Sequence, residues 1–231
     1  MQQNGEAIVG LDTSGGTLTV TVSYRGEKCT RRRKGIKQER LLFPALHSAL
    51  AACHAAMTDI GRVFIVRGPG RFTGIRISLT FASMLKYLNH AEVRGATLFE
   101  VLRRQTESSA VFKKWKKENP NGVLGVVLHA FREEYFLQFF DEENHAPLWL
   151  SREELLKRLS SYQRPLFLAG SAKEDAPLQT LAGPAFAYAA KKDCFVRPAT
   201  LLSMAQEDTW ANNALEPLYL KPARFELVNP K

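Results

Sequence analysis

The stretch that decides the fold is RGPGRFTGIR, residues 67–76. It follows a short apolar run, Arg62–Val66, which is typical of a buried strand. It leads into an apolar-rich segment, Thr73–Asn89, for which we predict a helix with Thr73 as its N-cap. The pattern therefore predicts a strand, a tight glycine-rich loop and a long helix in succession.

The loop itself contains Gly68, Pro69 and Gly70. Glycine permits left-handed or closely packed backbone, and the proline stiffens the turn between the two glycines. Free N–H groups in such a loop can cradle a phosphate. The sequence is not a P-loop, because the Gly-Lys-Ser/Thr ending is missing, and it is not a dinucleotide fingerprint.

Outward from this loop, the order of elements repeats. Each half reads as three strands, helix, strand, helix, strand, helix, which predicts an α/β fold with two subdomains, each a mixed sheet covered by helices. A duplicated unit of this order resembles the actin and Hsp70-like (ASKHA, RNase H-like) superfamily. The predicted division is residues 1–107, a linker at 108–121 that includes a polar, basic stretch, and residues 122–231.

The segment Gly-Pro-Gly-x-Phe-Thr-Gly-x-Arg is a near match to the hallmark of the TsaB (YeaZ) family. Two positions depart from that family's pattern: Lys37 stands where a His is usual, and His129 begins a segment where Asp-Ala-Arg is usual. The chain is identified as a divergent member. Further matches are spread along the chain, at Leu11–Ser14, Gln38–Leu42 with Pro44, Glu134–Tyr135 and Pro217–Ala223.

The resemblance implies a non-catalytic scaffold subunit for tRNA threonylcarbamoyladenosine synthesis. Such a subunit binds the catalytic paralogue TsaD, helps to recruit the ATPase TsaE, reaches tRNA indirectly through the complex and forms a homodimer when alone. It also implies a motif loop made of Gly68, Pro69, Gly70, Phe72, Thr73, Gly74 and Arg76.

The first two long helices are apolar over most of their circumference. A helix covering a sheet needs only one apolar stripe. Either the two helices simply pack on each other, or together they present an apolar patch to a partner. The resemblance favours the partner, and the predicted partner-binding residues are Leu42, Leu46, Leu50, Cys53, Ile77, Phe81 and Met84.

A second candidate site is the turn that contains Asp12, Thr13, Ser14 and Gly15. In ATPases of the superfamily, the turn between the first two strands holds phosphates; a plain strand turn is the alternative. The matching place in the second half, His129–Arg132, has no carboxylate. We therefore expect no catalytic residues and no cofactor of its own, with weak ATP or ADP binding possible at a shared interface. An independent nucleotide-dependent enzyme remains the alternative.

No metal site is expected. His47 and His54 are seven residues apart, so on a helix they are separated by roughly 10 Å at ~1.5 Å per residue, too far for one ion bound at ~2.1 Å by both rings. The three cysteines show no metal or disulfide spacing, which fits a reducing cytoplasm.

The formal net charge is +9 and is clustered at 31–40 and 113–117. These runs are either solvated surface or tRNA-facing, and a stand-alone tRNA-binding module is a further alternative. No apolar stretch is long enough for a membrane helix, and Met1–Glu6 is too polar for a secretory signal. We expect no membrane contact.

Overall fold

A computed structural model describes residues 6–35, 37–141, 145–173 and 176–221. The chain divides into two compact units. Of the described residues, unit 1 contains those from Glu6 to Val101 together with Val196–Leu218, and unit 2 contains those from Leu102 to Phe195 together with Tyr219–Lys221. The predicted division assigns residues 122–231 to the second half, whereas the segment 196–218 belongs to unit 1.

Unit 1 is built on a five-stranded mixed sheet in the order β3-β2-β1-β4-β5. Strand β1 is antiparallel to β2 and parallel to β4. The apolar alternation of β2 is explained by burial, because Leu18, Val20 and Val22 are all fully buried on one face. The strands are β1 (Ala7–Asp12), β2 (Thr17–Tyr24), β3 (Glu27–Lys34), β4 (Ile60–Val66) and β5 (Glu92–Ala96).

Two long helices, α1 (Gln38–Ala52) and α2 (Phe72–Leu88), supply much of the core of unit 1. The short α7 (Pro198–Met204) belongs to a second cluster, where Leu201 packs with Phe64. A Cβ at Gly10 of β1 would lie 2.8 Å from the Cβ of Leu201. The missing side chain at Gly10 therefore lets this late helix pack directly on β1.

Unit 2 repeats the arrangement with a sheet in the order β10-β9-β6-β7-β8, and β11 pairs with β9. Strand β6 is antiparallel to β7 and parallel to β9, as β1 is to β2 and β4. The predicted α/β fold with two mixed sheets is confirmed. The strands are β6 (Val123–Phe131), β7 (Glu134–Phe140), β8 (Leu148–Ser151), β9 (Leu166–Lys173), β10 (Ala176–Pro177) and β11 (Ala187–Tyr188).

The helices between β5 and β11 are, in chain order, α3 (Leu98–Ser108), α4 (Ala110–Glu118), α5 (Arg152–Ser160) and α6 (Leu178–Ala182). Helix α4 occupies the stretch predicted as a linker. Ser109 caps it by accepting a hydrogen bond from the Phe112 N–H, and Phe112 packs edge-on against Phe167 at 5.1 Å. Burial of aromatic residues on β9 orders a segment whose lysines suggest a loop.

One further boundary is corrected. Helix α2 starts one residue earlier than predicted, with Arg71 rather than Thr73 at its N-cap position. The end of the predicted closing motif, Pro222–Ala223, lies outside the described residues. Within the described ranges, no helix is long and apolar enough to cross a membrane.

Candidate functional site

The motif loop packs directly on the turn between β1 and β2. The Arg71 N–H donates a 2.8 Å hydrogen bond to the Ser14 carbonyl, and the Thr13 hydroxyl donates a 2.7 Å bond to the Gly74 carbonyl. The two segments are about sixty residues apart in sequence. They are nevertheless joined backbone to backbone, so the loop fixes the shape of the turn.

Two motif glycines make this close approach possible. A Cβ on Gly74 would lie 2.0 Å from the Thr13 carbonyl oxygen, and one on Gly70 would lie 2.3 Å from that of Ser14. Real side chains do not tolerate such distances. The spacing of glycines in the motif is therefore explained by packing within the chain.

The polar groups of the turn are also bonded inside the chain. Asp12 is only 8% exposed, and its Oδ1 accepts hydrogen bonds from the Ser14 N–H at 2.9 Å and the Ser14 hydroxyl at 2.6 Å. Burial raises the pKa of Asp12, although the two Ser14 bonds and the nearby Arg32 charge act in the opposite direction. Gly15, which is exposed, accepts a 2.9 Å bond from the Gln38 side chain through its carbonyl.

The corresponding turn of unit 2 has different chemistry. The His129 ring nitrogen Nε2 lies 2.8 Å from the Arg132 carbonyl oxygen, and the Phe131 side chain is 53% exposed. No carboxylate stands between His129 and Arg132, but the turn itself also contains Glu133, whose carboxylate lies 3.6 Å from the Arg152 guanidinium. Among the described residues, no group of three or more His, Cys, Asp or Glu side chains is placed to hold a metal ion.

The seven predicted partner-binding residues separate into two sets. Five are in the core of unit 1, each at most 4% exposed, and so do not form a surface: Leu42, Leu46, Leu50, Cys53 and Phe81. Ile77 and Met84 are half-buried at the edge of the same core. For the buried five, the structure matches the simpler explanation, in which the two helices pack together over the sheet.

The apolar surface of this helix pair is carried by other residues. Tyr87 is 81% exposed, and Phe43 of α1 is 43% exposed, with its ring edge-on to that of Phe81. Ile77, Met84 and Tyr87 share one side of α2, because they are spaced seven and three residues apart. We call Ile77, Thr80, Met84 and Tyr87 the outer face of α2. The apolar pattern of α2 shows two stripes but does not indicate that the one with Tyr87 faces solvent.

The start of α2 forms a groove of about 380 Å³ beside the motif loop. The Arg76 guanidinium lies 4.1 Å from the centre of the exposed Phe72 ring, a cation–π pair that holds the first turn of the helix. The groove is lined by Gln38, Arg71, Phe72, Thr73, Gly74 and Ile77. Motif residues therefore form both the buried contacts of the loop and the exposed edge of the groove.

Comparison with known proteins gives consistent results. Residues 37–109 match the family model described as TsaD, tRNA N6-adenosine threonylcarbamoyltransferase. The chain is 21% identical over 185 residues to the tRNA threonylcarbamoyladenosine biosynthesis protein TsaB of Buchnera aphidicola subsp. Baizongia pistaciae, covering 76% of this chain and 80% of that protein. It is 25% identical over 169 residues to TsaB of Escherichia coli K12, covering 71% and 68%.

Among solved structures, the fold is similar to that of YeaZ from Pseudomonas aeruginosa. The TM-score is 0.65 at 20% identity, and the match covers 93% of this chain and 100% of the other.

Proposed function

Because the chain belongs to the TsaB (YeaZ) family, we propose that it acts in the biosynthesis of threonylcarbamoyladenosine in tRNA, as a non-catalytic scaffold for a TsaD-like catalytic subunit. The observation that carries the scaffold role is the outer face of α2, where Tyr87 is 81% exposed beside half-buried Ile77 and Met84. Exposed apolar residues that share one helix face are typical of protein–protein contacts.

The geometry of the turn supports the absence of independent phosphoryl chemistry. The Asp12 carboxylate and the Thr13 and Ser14 hydroxyls are hydrogen-bonded within the chain. Chemistry of the ATPase kind needs groups from both halves, and the acids at the matching turn are engaged in ion pairs, Glu133 with Arg152 and Glu134 with Lys221. A weakly bound ATP or ADP would therefore sit at a surface shared with the partner.

The same face serves a second copy of this chain when the catalytic subunit is absent. An isologous contact uses one patch twice, so the outer face of α2 would be covered in either assembly. The assembled pair would form the docking site for a TsaE-like ATPase, and tRNA would be reached through the complex.

The test is size-exclusion chromatography with light scattering, on the chain alone and mixed with TsaD from the same organism. The variant is Tyr87→Asp, which places a charge on the outer face without touching the core. Val111→Asp is the matched control, since Val111 is 53% exposed on α4 of unit 2. Phe81→Asp is unsuitable, because Phe81 is 4% exposed and a buried carboxylate would unfold unit 1.

We expect a one-to-one complex with TsaD that replaces a homodimer, loss of both assemblies in Tyr87→Asp, and no change in Val111→Asp. Tyr87→Asp that pairs normally would reject this interface. Absence of any complex between two folded wild-type proteins would reject the scaffold role itself.

A further inference from the structure

Unit 1 carries a concentrated set of exposed cations around the turn between β1 and β2. They come from the end of β3, the first turn of α1 and the residue before α2. We call this set the basic rim. Its members are Arg33, Lys34, Lys37, Arg40 and Arg71, all of them exposed.

Backbone contacts bring the three elements of the rim to one place. Lys34 is paired with Thr17 across the β2–β3 ladder, and the Gly35 N–H donates to the Gly16 carbonyl at 3.4 Å. Gln38, next to Lys37, donates through its side chain to the Gly15 carbonyl, and Arg71 donates through its backbone to that of Ser14. The rim therefore surrounds residues 14–17.

The run at 31–40 divides into anchoring and available cations. The Arg31 side chain donates to the Ser48 hydroxyl at 2.9 Å, and that of Arg32 donates to the Val196 carbonyl at 3.4 Å. The other four cations of the run, Arg33, Lys34, Lys37 and Arg40, form no ion pair with any acid among the described residues. Glu39 is the one acid within the run.

Both long helices begin at this rim with a cation at the N-cap position, Lys37 for α1 and Arg71 for α2, and neither has a side-chain cap. N-caps are usually Ser, Thr, Asp or Asn, and positive charge opposes the helix dipole at this end. The first turn of α2 contains no acid. The first turn of α1 does contain one acid, Glu39, and an anion bound between the two helix starts would interact favourably with both helix dipoles.

The groove between the two helix starts also contains an unused acceptor. Gln38 is 3% exposed and lines the groove, and its Oε1 has no hydrogen-bond partner among the described residues. A ligand that fits the site therefore combines negative charge with a hydroxyl donor. The RNA backbone does so, since each phosphate is followed by a ribose with a 2′-hydroxyl.

We propose that the basic rim binds the phosphodiester backbone of RNA directly, with Gln38 accepting a hydrogen bond from a 2′-hydroxyl. The identity of that RNA as the tRNA to be modified rests on the proposed function; the binding itself does not. Direct contact from this chain would help to orient the tRNA on the assembled complex.

The experiment is fluorescence anisotropy with a fluorescein-labelled tRNA transcript, over a series of salt concentrations, using the chain alone and its complex with TsaD. The variant is Lys34→Glu/Lys37→Glu. The matched control is Lys113→Glu/Lys114→Glu, which makes the same charge change on two exposed lysines of α4 in unit 2. The rim variant is expected to weaken binding at least about tenfold and to flatten the salt slope by about two phosphate contacts. The control is expected to change affinity less than about threefold.

A second arm tests the hydroxyl contact. The probes are an RNA stem-loop and a DNA stem-loop of the same sequence, and the variant is Gln38→Met, with thermal unfolding as a check on folding. We expect wild type to prefer RNA and Gln38→Met to lose that preference while it keeps its affinity for DNA. An unchanged preference in a folded Gln38→Met would remove Gln38 from the site.

The outcomes separate this inference from the proposed function, because complex formation is read by size exclusion on the same samples. Equal losses of tRNA affinity in the rim and control variants would overturn the rim as a site, because the affinity would then depend only on the net charge of the chain. A rim variant that keeps its tRNA affinity but loses TsaD would identify the rim as a surface for an acidic protein. An intact complex with unchanged tRNA affinity would overturn the RNA inference and leave the scaffold role standing.

Discussion

The two β-hairpin turns that open the two sheets occupy equivalent places in one topology, yet they are built differently. In unit 1 the turn at Asp12–Gly16 lies against the motif loop, with one hydrogen bond of 2.7 Å from the Thr13 hydroxyl and one of 2.8 Å from the Arg71 N–H. In unit 2 the turn after Phe131 exposes an aromatic ring. A close glycine contact does occur there, but a Cβ on Gly170 would meet the Val127 carbonyl of β6 rather than the turn.

This difference indicates what the motif is for. In unit 1 the glycines at 70 and 74 allow two backbones to touch, and that contact places the starts of α1 and α2 side by side. In unit 2 the turn is held differently from this clamp, by a 2.8 Å hydrogen bond from the Arg152 N–H to the Glu133 carbonyl. The two motif glycines therefore hold the helix pair that carries the proposed partner surface. We call the turn beneath them filled, because the Asp12 carboxylate and the Thr13 and Ser14 hydroxyls are hydrogen-bonded within the chain.

The largest effect is expected when the clamp is broken. Gly74→Ala places a methyl group 2.0 Å from the Thr13 carbonyl, which forces the loop away from the turn and lowers the free energy of unfolding by about 3 kcal/mol. Gly15→Ala is the matched control in the turn itself, because nothing lies within 4 Å of its added Cβ. The measurement is the urea midpoint of each variant. Equal midpoints for the two variants would show that the clamp does not stabilise unit 1.

A somewhat smaller effect is expected at the place where the late segment 196–218 joins unit 1. The Arg94 side chain is 3% exposed and donates to Glu92 at 2.6 Å, to Asp208 at 2.5 Å and to the Ala205 carbonyl at 3.1 Å. Arg94→Met removes the bonds to all three partners and is expected to lower the free energy of unfolding by about 2 kcal/mol.

The control for that change is Arg62→Met, since Arg62 pairs with the same Glu92 at the surface and such pairs contribute less than about 1 kcal/mol. Limited proteolysis of the segment 196–218 and urea unfolding provide the two measurements. If Arg62→Met is as costly as Arg94→Met, burial is not what makes the Arg94 contacts important.

The strands and the motif loop were readable in the sequence because their signals are local. Alternation at Leu18, Val20 and Val22 predicts β2, and the glycine order predicts the loop. The predictions failed where the deciding contact is distant. The lysines around Trp115 predict a linker, but the Trp115 ring packs against that of Phe167, far along the chain, with 5.2 Å between the ring centres. The assignment of residues 196–218 to unit 1 depends likewise on contacts with strands near the beginning of the chain.

The predicted partner surface shows a different limit. Phe81 and Tyr87 are both apolar positions on one helix, but one faces the sheet and the other faces solvent. Periodicity alone reports that a helix has two apolar stripes and does not say which one the sheet covers. The choice of Phe81 over Tyr87 was therefore beyond what the pattern could decide.

The pH dependence of unit 1 offers a finer test of the filled turn. Burial raises the pKa of Asp12 above its usual 3.8, so the unfolded chain releases this proton more readily than the folded chain. The resulting loss of stability develops as the pH rises through 3.8 to the folded-state pKa and then stays constant. Asp12→Asn keeps an acceptor for the Ser14 N–H but has no carboxyl group to ionise, so it lacks this pH-dependent loss of stability.

Urea unfolding of wild type and Asp12→Asn between about pH 3 and pH 7 measures this effect. The variant should gain stability relative to wild type as the pH rises. A relative loss would mean that the two Ser14 bonds outweigh burial and that the charged form is favoured in the folded chain.

The smallest effect is expected for ATP, and it bears most directly on the comparison of the two turns. With the Asp12 turn filled and the acid of the unit 2 turn, Glu133, paired with Arg152, the chain alone should hydrolyse no ATP above buffer, and Asp12→Asn should leave that background unchanged. Titration calorimetry should detect no tight binding of ATP to the chain alone. Any nucleotide site should appear only after TsaD is added, at the surface that the two proteins share. Hydrolysis by the chain alone that disappears in Asp12→Asn would show that the turn opens in solution, and the motif loop would then be a gate over a phosphate site rather than a permanent clamp.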